Sequence, residues 1–233
     1  MLDGPMRLGI LGGTFNPIHF GHLNIAREVR EKLQLDHILF VPTGDPPHKQ
    51  GEALAAGNDR YEMVRLAIAG HSCFALSDIE LRRKGKSYSI DTVRHLQREY
   101  GPLADLSFLI GLDAFLDFPT WKEPQALLQA CRFVVISRPG RSFQSLASLP
   151  LFPQTDAVAL AQLDAGTLTS LEVAVPSAPG ILCLPLPPCS ISASAIRQRI
   201  RRGEALAKLL PPSVESYILQ HRLYQEDRDH THI

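Results

Sequence analysis

The chain has 233 residues, 45% hydrophobic and 21% charged, with 24 Lys and Arg balanced by 24 Asp and Glu. That length suits one large domain with a sizeable core. A formal net charge of zero gives no support to general polyanion binding, and no stretch approaches the ~20 apolar residues of a membrane span, so neither nucleic acid nor a membrane is an expected partner.

The opening MLDGPMRLGI lacks the charged start and long apolar segment of a signal peptide. Continuous apolar runs predict strands at 7–11, 37–41, 74–77, 106–110, 133–137 and 181–184. Unbroken runs suit parallel strands covered on both faces. Between them helices are predicted at 23–33, 59–69, 90–100, 124–130, 193–202 and 213–221, with Asn58 or Asp59, Ser89 and Ser192 as N-caps. The alternation implies an α/β sheet with helices on both faces, in a single domain over 1–233. Residues 141–180 are rich in Ser, Leu, Ala and Pro and read as an insertion. A structureless loop of that length is unusual, so local structure is expected there, with a strand near 171–175. The tail 227–233 reads as frayed. Cys73, Cys131, Cys183 and Cys189 follow no zinc spacing and read as buried thiols in a reducing cytosol.

Five segments carry chemistry. The first is GGTFNPIHFGH, Gly12 to His22. A strand breaks at two glycines, which admit a ligand close to the backbone, and leads to a helix start, whose free N–H groups favour an anion. His19 and His22 stand at that start. The turn is neither the dinucleotide GxGxxG nor the Walker pattern, and two histidines without a third ligand nearby make a poor metal site. The second is SISASAIRQRIRR, Ser190 to Arg202, where capping hydroxyls and Arg197 can converge on one phosphate; alone it would pass for an ordinary capped basic helix. The third is Gly111 and Asp113 at a strand end, followed by Trp121, the single tryptophan. A carboxylate there suits ribose hydroxyls, while Trp121 suits either the core or a stacking platform. The fourth, Ser87 to Thr92, opens a helix whose amides could hold a carboxylate. The fifth, Pro46-Pro47-His48-Lys49, presents a His and a Lys on a stiff turn, or is simply a surface loop.

Taken in order, these segments resemble the bacterial nicotinate-nucleotide adenylyltransferases of the nucleotidylyltransferase superfamily. The series is GGTFNPIHFGH, VPTGDPPHK, NDRYEM, SYSIDT, IGLDAF with Trp121, ISRPG and ISASAIR, followed by Tyr217-Ile218 and Leu223-Tyr224. The resemblance implies an open, doubly wound, mostly parallel Rossmann-like sheet with one active site across its strand ends. It implies a cytoplasmic enzyme that joins ATP and nicotinate mononucleotide, with Mg²⁺ held mainly by phosphates, to give nicotinate adenine dinucleotide and pyrophosphate in NAD biosynthesis. It implies His19, His22 and Arg197 as catalytic residues, His19 donating to the α-phosphate. Gly12, Gly13, Thr14, Phe15, His22, Gly111, Asp113, Ser192, Ile196 and Arg197 would bind ATP. Asn16, His48, Lys49, Ser89, Trp121 and Lys122 would bind the mononucleotide, Trp121 stacking on the pyridine and the amides near Ser89 and Lys122 holding its carboxylate. Asn16 stands where the family usually has Asp, and Ser192-Ala193-Ser194 departs from its usual run. Alternatives are a relative acting on nicotinamide mononucleotide or phosphopantetheine, and a nucleotide sensor without activity. A homo-oligomer is left open.

Overall fold

The computed structural model describes residues 5–45, 54–149 and 157–225. The described elements, in chain order, begin with β1 (Arg7–Gly13), α1 (Phe20–Leu33), β2 (His37–Pro42), α2 (Gly57–Ile68) and β3 (Phe74–Leu76). Then come α3 (Ile79–Arg82), α4 (Ser89–Tyr100), β4 (Asp105–Gly111), α5 (Leu112–Leu116), α6 (Pro124–Ala130) and β5 (Arg132–Ile136). The last are α7 (Ala157–Asp164), β6 (Leu171–Val173), β7 (Ile181–Leu184), α8 (Ala193–Arg202) and α9 (Pro212–Gln220). Among the described residues the strands form one seven-stranded sheet in the order β3-β2-β1-β4-β5-β7-β6. All neighbours are parallel except β6, which runs antiparallel to β7 at the edge.

The apolar runs explain why this sheet is buried on both sides. Within β1, Leu8 and Ile10 point into one core with Ile90, Val93 and Phe108, while Leu11 points into the other with Phe40, Val64 and Ile196. Gly9 lies between them, where an added Cβ would stand 2.5 Å from Ile38 Cδ1 and 2.8 Å from Leu35 Cδ1; its missing side chain lets the turn into β2 pack down. From β1 the chain goes outward to β2 and β3, then returns to place β4 on the other side of β1. The winding reverses there, leaving a crevice beyond the carboxyl ends of the two strands.

Several predicted details shift. Helix α1 starts at Phe20, because His19 is its N-cap. Helix α2 starts at Gly57 behind Ala56, so neither Asn58 nor Asp59 caps it; Asp59 accepts from the Tyr217 hydroxyl at 2.9 Å instead. Tyr88 takes the cap position of α4 and Ser89 is its first helical residue. Ser192 does cap α8, accepting from the Ala195 N–H. The stretch 141–180 holds a 3-10 segment at Phe143–Ser148, then α7 and β6. The amides of Phe143 and Gln144 donate to the Asp164 carboxylate at 2.8 and 3.2 Å, and Leu146, Leu160 and Leu163 join the core. Only Cys131 and Cys183 are buried, and burial pushes both thiols up; Cys73 and Cys189 are half-buried. The tail 227–233 lies outside the described residues.

Candidate active site

The crevice between β1 and β4 is a cleft of about 720 Å³. Its floor is strand ends. Gly12 and Gly13 close β1, and Gly111 closes β4. Phe15 turns the chain with φ of 47°, an unusual angle for a bulky residue. Its ring is buried under Gly13, where an added Cβ would stand 3.1 Å from the ring. The ring also meets His22 edge-on, with centroids 5.1 Å apart. Thr14 and Asn16 complete this wall.

The two histidines form one unit. His22 Nδ1 accepts from the His19 amide at 3.3 Å, and the rings stack with centroids 3.8 Å apart. His22 faces the cleft, whereas His19 lies buried behind it, 6% exposed. Burial and then the nearby positive charge of Arg138 lower the pKa of His19 to about 4, so its imidazole is neutral at neutral pH. Gly21 makes room for it: a Cβ there would stand 2.9 Å from His19 Nδ1 and 3.1 Å from Cys189 Sγ. Arg197 reaches across from α8, its Nη1 donating to the Asn16 carbonyl at 2.8 Å while the side chain lines the cleft.

The far end has different chemistry. Trp121 packs on Phe118 and Phe108 with centroids 5.6 and 6.3 Å away and still lines the cleft. One side of Trp121 thus rests on core aromatics while the residue still borders the open space. Ser89 starts α4, and the first amides of a helix have no partner inside it. Lys122 Nζ pairs with Asp91 at 3.0 Å and lies 4.8 Å from the Tyr88 ring centroid, which holds it at the rim.

The cleft thus gathers Gly12, Gly13, Thr14, Phe15, Asn16, His22, Gly111, Asp113, Ser89, Trp121, Lys122 and Arg197 from the expected residues. Among the described residues its wall does not include His19, Ser192 or Ile196. Ile196 is core, 1% exposed, so its side chain packs beneath α8. His48 and Lys49 lie outside the described residues.

Comparison with known proteins bears on what such a cleft does. A cytidylyltransferase-like family model matches residues 10–199. The chain is 45% identical over 224 residues to a probable nicotinate-nucleotide adenylyltransferase of Geobacter metallireducens, covering 96% of this chain and all of the relative. The chain belongs to the nicotinate-nucleotide adenylyltransferase family. A second member, from Geotalea daltonii, is 43% identical over 96% of the chain and all of its own length. Among solved structures, a Plasmodium falciparum nicotinic acid mononucleotide adenylyltransferase complexed with NaAD superposes with a TM-score of 0.68 at 20% identity, over 94% of this chain and 97% of that one, which supports the fold.

Within this family setting, two cleft-lining residues and one buried residue were given no role from the sequence. Arg138 follows β5, pairs with Asp113 at 3.3 Å and faces the cleft; its place at a strand's carboxyl end was the available signal. Glu80 is buried, accepts from the Thr92 hydroxyl at 2.7 Å and has its carboxyl pushed up by burial. Arg60, 1% exposed, donates from Nη1 to the Thr14 carbonyl in the turn after β1.

Proposed function

We infer that the protein transfers the adenylyl group of ATP to nicotinate mononucleotide, forming nicotinate adenine dinucleotide and pyrophosphate, a step of NAD synthesis. The observation that carries this reading is the division of a single cleft. One end offers glycines, His22 and Arg197, and the other an aromatic ledge at Trp121 beside the start of α4.

The reaction brings two anions together. A phosphate oxygen of the mononucleotide forms a bond to the α-phosphorus of ATP, and the bond from that phosphorus to the bridging oxygen of pyrophosphate breaks. The attacking oxygen already carries its charge at neutral pH, so no general base is required. Catalysis consists of holding the two groups in line and stabilising charge on the transferring and leaving phosphates. Arg197 and the 12–14 backbone suit the triphosphate. His19 and His22 suit the α-phosphate, with His19 supplying a neutral N–H. Gly111 and Asp113 suit the adenosine. Trp121 suits the pyridine ring, and the α4 amides at Ser89 suit its carboxylate, where a nicotinamide would set an NH₂ against N–H donors.

Among the described residues no three His, Cys, Asp or Glu side chains come together to hold a metal ion. In this reading Mg²⁺ comes with the substrate, on the phosphate oxygens of ATP, where it would neutralise charge. No described helix is long and apolar enough to cross a membrane; a cytoplasmic setting, where both nucleotides are supplied, belongs to the same reading.

The test is pyrophosphate release from ATP with nicotinate mononucleotide, nicotinamide mononucleotide or 4′-phosphopantetheine as acceptor. Turnover is expected with the first and at a much lower kcat/KM with the second. Equal or better use of either rival overturns the assignment, and binding of ATP without turnover with any acceptor identifies a sensor.

A further inference from the structure

Lys86 lines the cleft, and the proposed chemistry gives it no task. It lies in the short connection between α3 and α4. Its backbone pairs in parallel with that of Asp45, just beyond β2, and the Ser87 amide donates to the Asp45 carbonyl at 3.3 Å. Ser87 is buried, and a Cβ on Gly44 would stand 2.9 Å from its Oγ, so the connection is pinned where it passes the cleft. Tyr88 follows in extended backbone, with φ of -113° and ψ of 136°. Side chains two apart in extended chain share a face, which puts Lys86 on the same side as Tyr88. The Tyr88 ring centroid lies 4.8 Å from Lys122 Nζ, so two lysines flank this ring.

The charges on this wall do not cancel. Lys122 pairs with Asp91 at 3.0 Å. Arg83 donates to the Thr92 hydroxyl at 3.1 Å, which donates in turn to the Glu80 carboxylate at 2.7 Å. Burial pushes the Glu80 carboxyl up, while the Thr92 hydrogen bond and the Arg83 charge hold it down. Each of these cations thus faces an acid. Lys86 is exposed, and among the described residues no carboxylate pairs with its ammonium, Asp45 included. One positive charge is left over at the end of the cleft that carries Trp121 and the start of α4. Nicotinate and nicotinamide mononucleotides differ by one negative charge on the pyridine substituent.

We propose that Lys86 is a specificity-determining residue, whose ammonium supplies the positive charge that favours a pyridine carboxylate over a carboxamide at the Trp121 end of the cleft. This deepens the adenylyl-transfer reading and rests on it. The amides at the start of α4 select by the direction of their hydrogen bonds, and Lys86 adds selection by charge. Its ammonium works in contact with solvent, so the effect is modest and is screened by salt.

The experiment compares the native enzyme with Lys86→Arg, Lys86→Gln and Lys86→Glu. It measures kcat/KM for nicotinate and nicotinamide mononucleotides by pyrophosphate release at low and high ionic strength. The dissociation constant of each mononucleotide is read from quenching of Trp121, the single tryptophan. Native turnover with nicotinate mononucleotide tests the reading itself; the change in preference between variants tests Lys86, and the dissociation constants report it even without turnover. In Lys86→Gln the preference for nicotinate mononucleotide is expected to fall about fivefold, through loss on that acceptor alone. Lys86→Glu should lower it further, and Lys86→Arg should keep it. Added salt should shrink the native preference and leave that of Lys86→Gln unmoved. An unchanged preference in both Lys86→Gln and Lys86→Glu would overturn the proposal. So would an equal loss with both mononucleotides, which would put the ammonium on the phosphate they share.

Discussion

His19 offers the most discriminating perturbation, because burial fixes which form of the imidazole is available. Its pKa, lowered to about 4, leaves roughly one molecule in 10³ protonated at pH 7. Making imidazolium the active form there would require bound substrates to supply about 4 kcal/mol. The neutral N–H is already present, so the account assigns it the hydrogen bond to the α-phosphate. Two results follow. His19→Ala should lower kcat by about 10²- to 10³-fold, the usual cost of one donor aimed at developing charge, with a smaller change in KM. In the native enzyme, kcat at saturating substrates should stay flat from pH 7 to pH 9, where the acceptor phosphate, with a second pKa near 6, is fully ionised. Stopped-flow or coupled pyrophosphate assays in constant-ionic-strength buffers measure both. A rate that falls tenfold per pH unit across that window, and loses this slope in His19→Ala, would refute the neutral-donor assignment.

Other outcomes follow from the same geometry. Trp121→Ala should raise the KM for the mononucleotide by roughly tenfold, since stacking on a flat ring is worth about 1–3 kcal/mol; an unchanged KM with a lowered thermal midpoint would make Trp121 a core residue only. Gly21→Ala places a methyl 2.9 Å from the His19 ring and should cost about tenfold in kcat while circular dichroism stays native; full activity would show that the ring position is not critical. Gly9→Ala overfills the space beside Ile38 and Leu35 and should destabilise by about 1–3 kcal/mol with KM values unaffected, read from urea unfolding of purified protein. Stability should also depend on pH through His19. Its folded pKa lies below the unfolded 6.5, so the unfolded chain takes up the proton first. The contribution is present above pH 6.5 and lost as pH falls towards 4, about 3 kcal/mol in all. His19→Ala should remove that part of the slope, and an unchanged slope would mean that the ring is not buried in the neutral form.

The sheet was legible because its strands are unbroken apolar runs. Predicted strand ends fall within two residues of those observed, and the glycines that end β1 and β4 mark where the cleft lies. Caps were less legible. Asn58 and Asp59 have the right chemistry for an N-cap, yet α2 begins at Gly57, two residues before its predicted start, and Asp59 accepts from Tyr217 instead. Helices α3 and α5 span four and five residues, too short for any periodicity to announce them. Arg60 stands in the NDRYEM motif, but its contacts were not legible there, because its Thr14 carbonyl acceptor is 46 positions away in sequence. The stacking of His19 on His22 was not legible either, because the first caps α1 and the second lies in its first turn. His19 is buried and His22 half-buried, and the tight fit of Gly21 against His19 and Cys189 involves a chain segment that a local motif does not reveal.

The central claim is that the turn leaving β1 seats the triphosphate. A crystal structure of the protein with α,β-methylene ATP and Mg²⁺ tests it most directly. The account predicts the phosphates lying over residues 12–14 and against Arg197, with the α-phosphate within hydrogen-bonding reach of His19. A well-ordered triphosphate at the Trp121 end of the cleft, or outside it, would contradict the account.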